Sequence, residues 1–201
     1  MPESAEEVYA RVVAQVGVDG HLPMPAQGGW DIFPWEGTGL RPRVVEPPSD
    51  EPPRHGEGDR NCSCTGSPAK GAIWANDRWE VRAPGQPGGL PLVVNLCPLE
   101  HLDFEDLDDD MAAEFGLLSV WLHRIISRMP NIGRVHVQKI GDGSAHLHAF
   151  FIARTARMTN ILGSPAVDWD EILPAVPEDI WRADLAYVAK HLATHGGTAL
   201  V

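Results

Sequence analysis

The sequence predicts an α+β fold in which a long helix packs on an antiparallel sheet. The predicted strands and helices are grouped along the chain rather than strictly alternating, which favours antiparallel pairing. Short apolar runs are separated by turn residues, as is typical of such sheets, and two long segments have helical periodicity.

The strands are predicted in the middle of the chain. AIWANDRWEVRA indicates two short strands around a turn at Asn76-Asp77, and LPLVVNLCP indicates a buried strand. RVHVQKI and AHLHAFFIA are predicted to be adjacent antiparallel strands joined by a GDGS turn.

The helices are predicted from caps and apolar spacing. Residues 4–16 form a short helix capped by Ser4, with an apolar side made of Val8, Val12, Ala14 and Val16. A long helix runs roughly from Asp108 to Met129, with an apolar stripe of Leu117, Val120, Trp121, Ile125 and Met129. The segment EDIWRADLAYVAKHLATHGG is a terminal helix that stops at Gly196.

The stretch from about 17 to 60 is rich in Pro, Gly and charge and cannot bury enough apolar surface to fold by itself. Trp30, Phe33 and Trp35 are costly to leave in water, so we expect this stretch to be an irregular arm draped over the domain. The sequence therefore predicts an N-terminal helix and arm over 1–60 and a folded domain, with its C-terminal helix, over 61–201.

The charge balance restricts the partners. With 28 acidic and 16 basic residues the 201-residue chain has a formal charge of −12, which disfavours extended nucleic acid and anionic membranes but not a small phosphate site. No apolar run approaches the ~20 residues of a membrane span. The first residues do not resemble a signal peptide, and three cysteines favour a cytoplasmic protein rather than a disulfide scaffold.

Cysteine and histidine residues suggest a metal site. Cys62 and Cys64 form a C-x-C pair, His101 follows the buried strand, and His146 and His148 lie two apart, so that they point the same way in an extended segment. Thiolates and imidazoles are ligands that suit tetrahedral zinc. Two loop thiols without a ligand, and two half-buried histidines at a strand edge, remain the alternatives.

The stretch LPLVVNLCPLEHLDFEDL, an amphipathic helix and then GDGSAHLHAFFIAR together resemble the histidine triad (HIT) superfamily over roughly residues 60–155. The arrangement is similar to the zinc-binding branch that includes galactose-1-phosphate uridylyltransferase. The resemblance implies a HIT-like sheet, a structural Zn²⁺ held by Cys62, Cys64, His101 and His146, and a nucleotide-type substrate. Many proteins of this superfamily are homodimers, so the resemblance also implies a possible homodimer.

The resemblance further implies an enzyme, a nucleotide hydrolase or nucleotidyl transferase acting on a nucleoside phosphate ester, anhydride or phosphoramidate. His148 would be the nucleophile that forms a nucleotidyl-imidazole. The Ser144 hydroxyl and the backbone N–H groups of Gly141, Asp142 and Gly143 are expected to hold the phosphoryl oxygens.

The sequence departs from the family at the third motif position, where Phe150 replaces His or Gln. Gln138, Lys139 and Arg154 are the candidates to supply the missing contact. The alternatives are a catalytically impaired nucleotide-binding protein and a zinc-stabilised interaction protein. Cys97 is interpreted as an apolar filler, and His55 carries no partner pattern.

Overall fold

The computed structural model describes residues 2–18, 20–23, 35–36, 41–42, 50–59, 62, 64, 66–159, 161, 170 and 173–201. Trp30 and Phe33, which we expected to anchor the arm, lie outside the described residues. Trp35 belongs to a two-residue strand, β1 (Trp35–Glu36), which pairs antiparallel with β2 (Arg41–Pro42).

The main sheet has six strands, all paired antiparallel, and confirms the predicted α+β class. Their spatial order is β6-β7-β5-β4-β3-β8. The bounds are β3 (Ala72–Ala75), β4 (Trp79–Arg82), β5 (Leu92–Pro98), β6 (Ile132–Lys139), β7 (Ala149–Thr155) and β8 (Thr198–Ala199). The last strand, which pairs with Trp74 and Ala75, was not predicted.

Three α-helices have all of their residues described: α1 (Ala5–Val13), α2 (Asp109–Ser127) and α3 (Glu178–Ala193). Ser4 caps α1 in a capping box with Glu7, and the Asp108 carboxylate accepts a 2.7 Å hydrogen bond from the Met111 N–H at the start of α2. Within the described residues, no helix combines the length and the apolar character that crossing a bilayer requires.

The predicted apolar stripe of α2 is partly wrong. Leu117 is 54% exposed and Val120 45% exposed, whereas Leu118 and Leu122 are buried. The buried face consists of Met111, Leu118, Leu122, Ile125 and Ile126, which follow the i, i+4, i+7 spacing of one helix side. In α1, likewise, Val8 is buried but Val16 lies beyond the end of the helix and is exposed.

The two faces of the sheet have different tasks. On one face, Leu92, Val94 and Leu96 of β5 are fully buried in the main core, to which α2 and α3 contribute. The other face has a smaller apolar cluster, against which Val12 of α1 packs; its buried members are Leu90, Ile152, Ile161 and Leu173. The remainder of this second face, near the end of β5 and the start of β7, carries polar residues.

Candidate metal centre and adjoining cavity

His146 and His148 lie just before β7 rather than inside it, so the predicted strand over 145–153 begins four residues late. The His146 N–H donates to the Ser144 hydroxyl at 3.2 Å, and the Leu147 N–H donates to the Leu102 carbonyl at 2.8 Å, so neither N–H pairs with β6. Leu147 is fully buried in the main core. Both histidines line a cavity on the other side, so they share a side as predicted.

The four residues proposed as zinc ligands come together. The ligand atoms of Cys62, Cys64, His101 and His146 all lie within 4.8 Å of one another. The two sulfur atoms are 2.8 Å apart, and Cys62 Sγ lies 3.3 Å from His146 Nδ1. Two thiols and two imidazoles are a donor set for a tetrahedral ion with Zn–S and Zn–N bonds of about 2.0–2.3 Å, and the two sulfur atoms would move apart on binding it.

The hydrogen bonds of the two imidazoles also fit a metal. His146 Nε2 lies 2.9 Å from the Pro98 carbonyl oxygen, which can only accept, so Nε2 carries the proton and Nδ1 offers its lone pair to the cluster. A backbone carbonyl on the second ring nitrogen is the usual way to orient a ligating histidine. His101 Nδ1 is buried without a hydrogen-bond partner among the described residues, which is rare for a buried ring nitrogen.

The two thiols of the cluster differ in their electrostatics. Burial raises the pKa of the Cys62 thiol, but hydrogen bonds from Cys64 and His101 outweigh it and leave the pKa below its ordinary value. Burial and the neighbouring Cys62 sulfur raise the pKa of Cys64 to about 11. Burial lowers the pKa of His146, which keeps its ring neutral. Metal binding would therefore release a proton from Cys64.

A cavity of about 220 Å³ adjoins the cluster and reaches His148. His148 Nδ1 lies 2.8 Å from the His146 carbonyl oxygen, so Nδ1 carries the proton and Nε2 the lone pair. The ring of Phe150 packs edge-on against His148 with centroids 5.3 Å apart. Ser144 lines the same cavity. An imidazole that is oriented in this way beside a cavity can act as a nucleophile.

Other predicted contact residues lie around the glycine turn. The Lys139 ammonium is 3.3 Å from the Asp103 carboxylate, which also accepts a 2.7 Å hydrogen bond from Arg54. Gly141 accepts a 3.3 Å hydrogen bond from the same guanidinium through its carbonyl oxygen. Gly143 and Asp142 are exposed. The turn is thus joined to the arm by a cationic side chain.

Three residues of the cavity wall were missed by sequence reasoning: His55, Arg82 and Asn95. Arg82 and Asn95 are paired in register across β4 and β5, and the same row continues to Phe150 on β7 and Gln138 on β6. Arg82 forms an ion pair with the fully buried Glu80. A polar residue at an alternate position of an apolar strand was the available signal.

The Asn95 side chain is incompletely satisfied. Its Oδ1 is buried and has no hydrogen-bond partner among the described residues. Buried polar atoms nearly always find a protein, water or ligand partner. Cys97, predicted to be an apolar filler, is buried as expected, although it also lines the cavity, and burial raises its pKa to about 12.

Comparison with known proteins gives matches among solved structures. No family model matches the chain, and no curated protein does. The chain is similar to a histidine triad protein from Bradyrhizobium japonicum, with 14% identity over 60% of this chain and 89% of that chain and a TM-score of 0.49. A Zn-bound histidine triad family protein from Mycobacterium smegmatis has 15% identity over 62% of this chain and 86% of that chain, with a TM-score of 0.45. A uridylyltransferase has 13% identity over 63% of this chain and 42% of that chain, with a TM-score of 0.41.

Histidine triad proteins, which the sequence resembles, are thus among the solved structures to which the chain is similar. The identities are too low and the TM-scores too small for an activity to be transferred to this chain. What the site does must follow from its own residues.

Proposed function

We propose that this protein is a nucleotide hydrolase or nucleotidyl transferase that acts through a covalent nucleotidyl-His148 intermediate. The observation that supports this most is the hydrogen bond between His148 Nδ1 and the His146 carbonyl oxygen, at 2.8 Å. It fixes the tautomer that leaves the Nε2 lone pair for a phosphorus atom. His148 also lines a cavity, which gives a substrate access to the ring.

The proposed reaction has two steps. Nε2 attacks the α-phosphorus of a nucleoside phosphate ester, anhydride or phosphoramidate, and the bond from phosphorus to the leaving group breaks with its electron pair on the leaving group. Water or another acceptor then attacks the same phosphorus, and the electrons of the phosphorus–nitrogen bond return to Nε2. Splitting one transfer into two displacements is the purpose of such a nucleophile.

Two cationic side chains lie beside the glycine turn, although the whole chain is acidic. Arg54 and Lys139 both pair with the Asp103 carboxylate, and Arg54 also lies 3.9 Å from the Glu57 carboxylate, so the support for an anionic ligand is the presence of these two cations and not a net positive charge. We propose that the Ser144 hydroxyl and the N–H groups of residues 141–143 contact the phosphoryl oxygens, with Gln138 and Phe150 near the ligand. Donors held by a rigid scaffold stabilise charge as it shifts during transfer.

Zinc has a structural role in this proposal. Cys62, Cys64, His101 and His146 would hold the ion, which when bound supplies a tetrahedral crosslink between the segment at 62–64 and the sheet. His146 is the residue that connects the metal centre to the nucleophile, because its carbonyl oxygen orients the His148 ring. Its own ring is held by the Pro98 carbonyl.

The test is a search for the covalent intermediate. The zinc-loaded protein is incubated with adenylyl and uridylyl donors, quenched and examined by intact mass spectrometry for one added nucleotidyl group. We expect the adduct in the wild type and in His123→Ala, whose imidazole lies on α2, and no adduct in His148→Ala. Absence of both adduct and turnover with every donor, in folded zinc-loaded protein, would contradict the proposal.

A second candidate is a nucleotide-binding protein without catalysis, which the position of Phe150 favours. Its ring contacts His148 and has no proton or hydrogen bond to offer a leaving group. Nucleoside monophosphates would then raise the melting temperature of the wild type, while turnover would be absent in both the wild type and His148→Ala.

A further inference from the structure

The arm segment Arg54–Gly56 is attached to the glycine turn by backbone hydrogen bonds. The His55 N–H donates to the Gly143 carbonyl at 3.1 Å, and the His55 carbonyl accepts from the Ala145 N–H at 2.9 Å. These two bonds form a parallel bridge between His55 and Ser144. Neighbouring strands in such a bridge lie about 4.8 Å apart, so the backbone of His55 is held beside the site.

The residues on both sides of His55 are anchored as well. The Arg54 guanidinium donates to Asp103 at 2.7 Å and to the Gly141 carbonyl at 3.3 Å. Gly56 is buried with φ of +85°, and a Cβ at this position would lie 3.1 Å from the His101 ring. The segment therefore has a defined place between the glycine turn and the metal centre.

The His55 imidazole is placed to reach a ligand. Residues paired across a bridge direct their side chains to the same side, and His55, Ser144 and His148 all line the cavity. His55 is also exposed, so its ring can exchange protons with bulk water between turnovers. The two imidazoles come from separate segments of the wall, the arm and the stretch before β7.

We propose that His55 is the catalytic proton donor to the leaving group, an inference that rests on the proposed function. When His148 Nε2 bonds to the α-phosphorus, the bond to the leaving group breaks with its electron pair on the leaving atom, and that atom takes the proton from the His55 ring. His55 then regains its proton from bulk water, and the water that attacks in the second step releases its proton to the solvent. Histidine is the side chain that most often serves in this way, and Phe150 at the third motif position has no proton to give.

The chemistry makes the leaving group the best probe. A 4-nitrophenolate leaves as a stable anion without protonation, whereas an alkoxide does not. We therefore compare the 4-nitrophenyl and the n-butyl esters of AMP and of UMP as donors for the wild type, His55→Ala and His123→Ala. The backbone bonds of residue 55 do not involve its side chain, so His55→Ala keeps the bridge.

We expect His55→Ala to lose about 10²- to 10⁴-fold in turnover of the butyl esters, the usual range for removing a general acid. Turnover of the nitrophenyl esters and formation of the His148 adduct from them should stay within about threefold of the wild type. His123→Ala should match the wild type on both esters. This pattern would support His55, because a merely structural role would reduce both reactions alike.

Other patterns overturn the inference. Equal losses on the two esters, or no loss on either, would show that His55 gives no proton to the leaving group. A fall in zinc content of His55→Ala would assign the ring to the metal centre instead. A wild type that forms no His148 adduct even from the nitrophenyl esters would overturn the proposed function, and the role of His55 with it.

Discussion

Zinc should stabilise this fold without being required for it, and removing one sulfur ligand should abolish that effect. The change is Cys62→Ala. Because the main core on the α2 and α3 side of the sheet contains none of the four ligands, we expect the chelated protein to remain folded, unlike a small zinc finger.

The size of the effect follows from the loop that zinc closes. Cys62 and His146 are 84 residues apart in sequence, and a crosslink across that loop removes entropy of the unfolded chain worth about 4–5 kcal/mol. Mass action gives a similar figure, about 4 kcal/mol when free zinc exceeds its Kd by about 1,000-fold. For a chain of this length each kcal/mol shifts the melting temperature by about 2–4 °C, so we expect about 8–16 °C.

The assay is differential scanning calorimetry of each protein with saturating zinc and with chelator, together with elemental analysis. The matched control is Cys97→Ala, which removes a buried thiol from the same cavity but not from the ligand set. Wild type and Cys97→Ala should contain close to one zinc per chain and show the full shift, and Cys62→Ala should show almost none. Equal melting temperatures of the wild type with zinc and with chelator would refute the structural role, and zinc loss in Cys97→Ala would refute the ligand assignment.

Four further substitutions, one of them a control, test the packing around the site, each by urea unfolding. Gly56→Ala should lower the free energy of unfolding by more than the roughly 1–2 kcal/mol that an alanine in the left-handed region costs, because its Cβ would also meet the His101 ring. Gly58→Ala is the control: its Cβ would meet nothing within 4 Å, so it should show only the cost of the left-handed backbone. Asp103→Asn should cost about 1–2 kcal/mol. Burial raises the pKa of the Asp103 carboxyl, but hydrogen bonds and the adjacent cations outweigh burial and hold this pKa below its usual range. The stabilisation by the carboxylate is therefore present above about pH 4 and is lost as the pH falls through the folded pKa. A wild type whose stability shows no such loss relative to Asp103→Asn would contradict this assignment. Leu147 is fully buried and lies between the two histidines in sequence, so Leu147→Ala should lower the free energy of unfolding by about 3 kcal/mol. A loss below about 1 kcal/mol would mean that this stretch does not pack as described.

The parts of the fold with strong local patterns were predictable, and the parts decided by tertiary contacts were not. The cap Ser4, the start of α2 near Asp108 and the turn at Asn76-Asp77 have short-range causes, and they lie where the sequence predicts them. The buried face of α2 was mistaken because apolar residues occupy both sides of this helix, so periodicity alone does not decide between Leu117 and Leu118. β8 is two residues long and has no pattern of its own.

The four candidate metal ligands could be named because cysteine and histidine are chemically distinctive, and the resemblance supplied which four belong together. Arg82 and Asn95 could not be named in the same way, because a polar residue on a strand has many ordinary explanations. Their shared position in the cavity wall becomes evident only when the strand register places Arg82 beside Asn95 and Asn95 beside Phe150. Register depends on the pairing of distant strands, which the local sequence does not contain.

His55 was the hardest residue to find, and the reason is physical. The Pro- and charge-rich composition around it indicates a segment that cannot fold by burying its own apolar surface. Yet the bonds that hold it are backbone N–H and C=O groups pairing with Gly143 and Ala145, and every residue carries such groups. A segment fixed in this way leaves its side chain free for chemistry, so a histidine with no sequence signature can occupy a wall of the site. If His55→Ala reacts normally with the butyl esters, the bridge serves only to close the arm over the glycine turn.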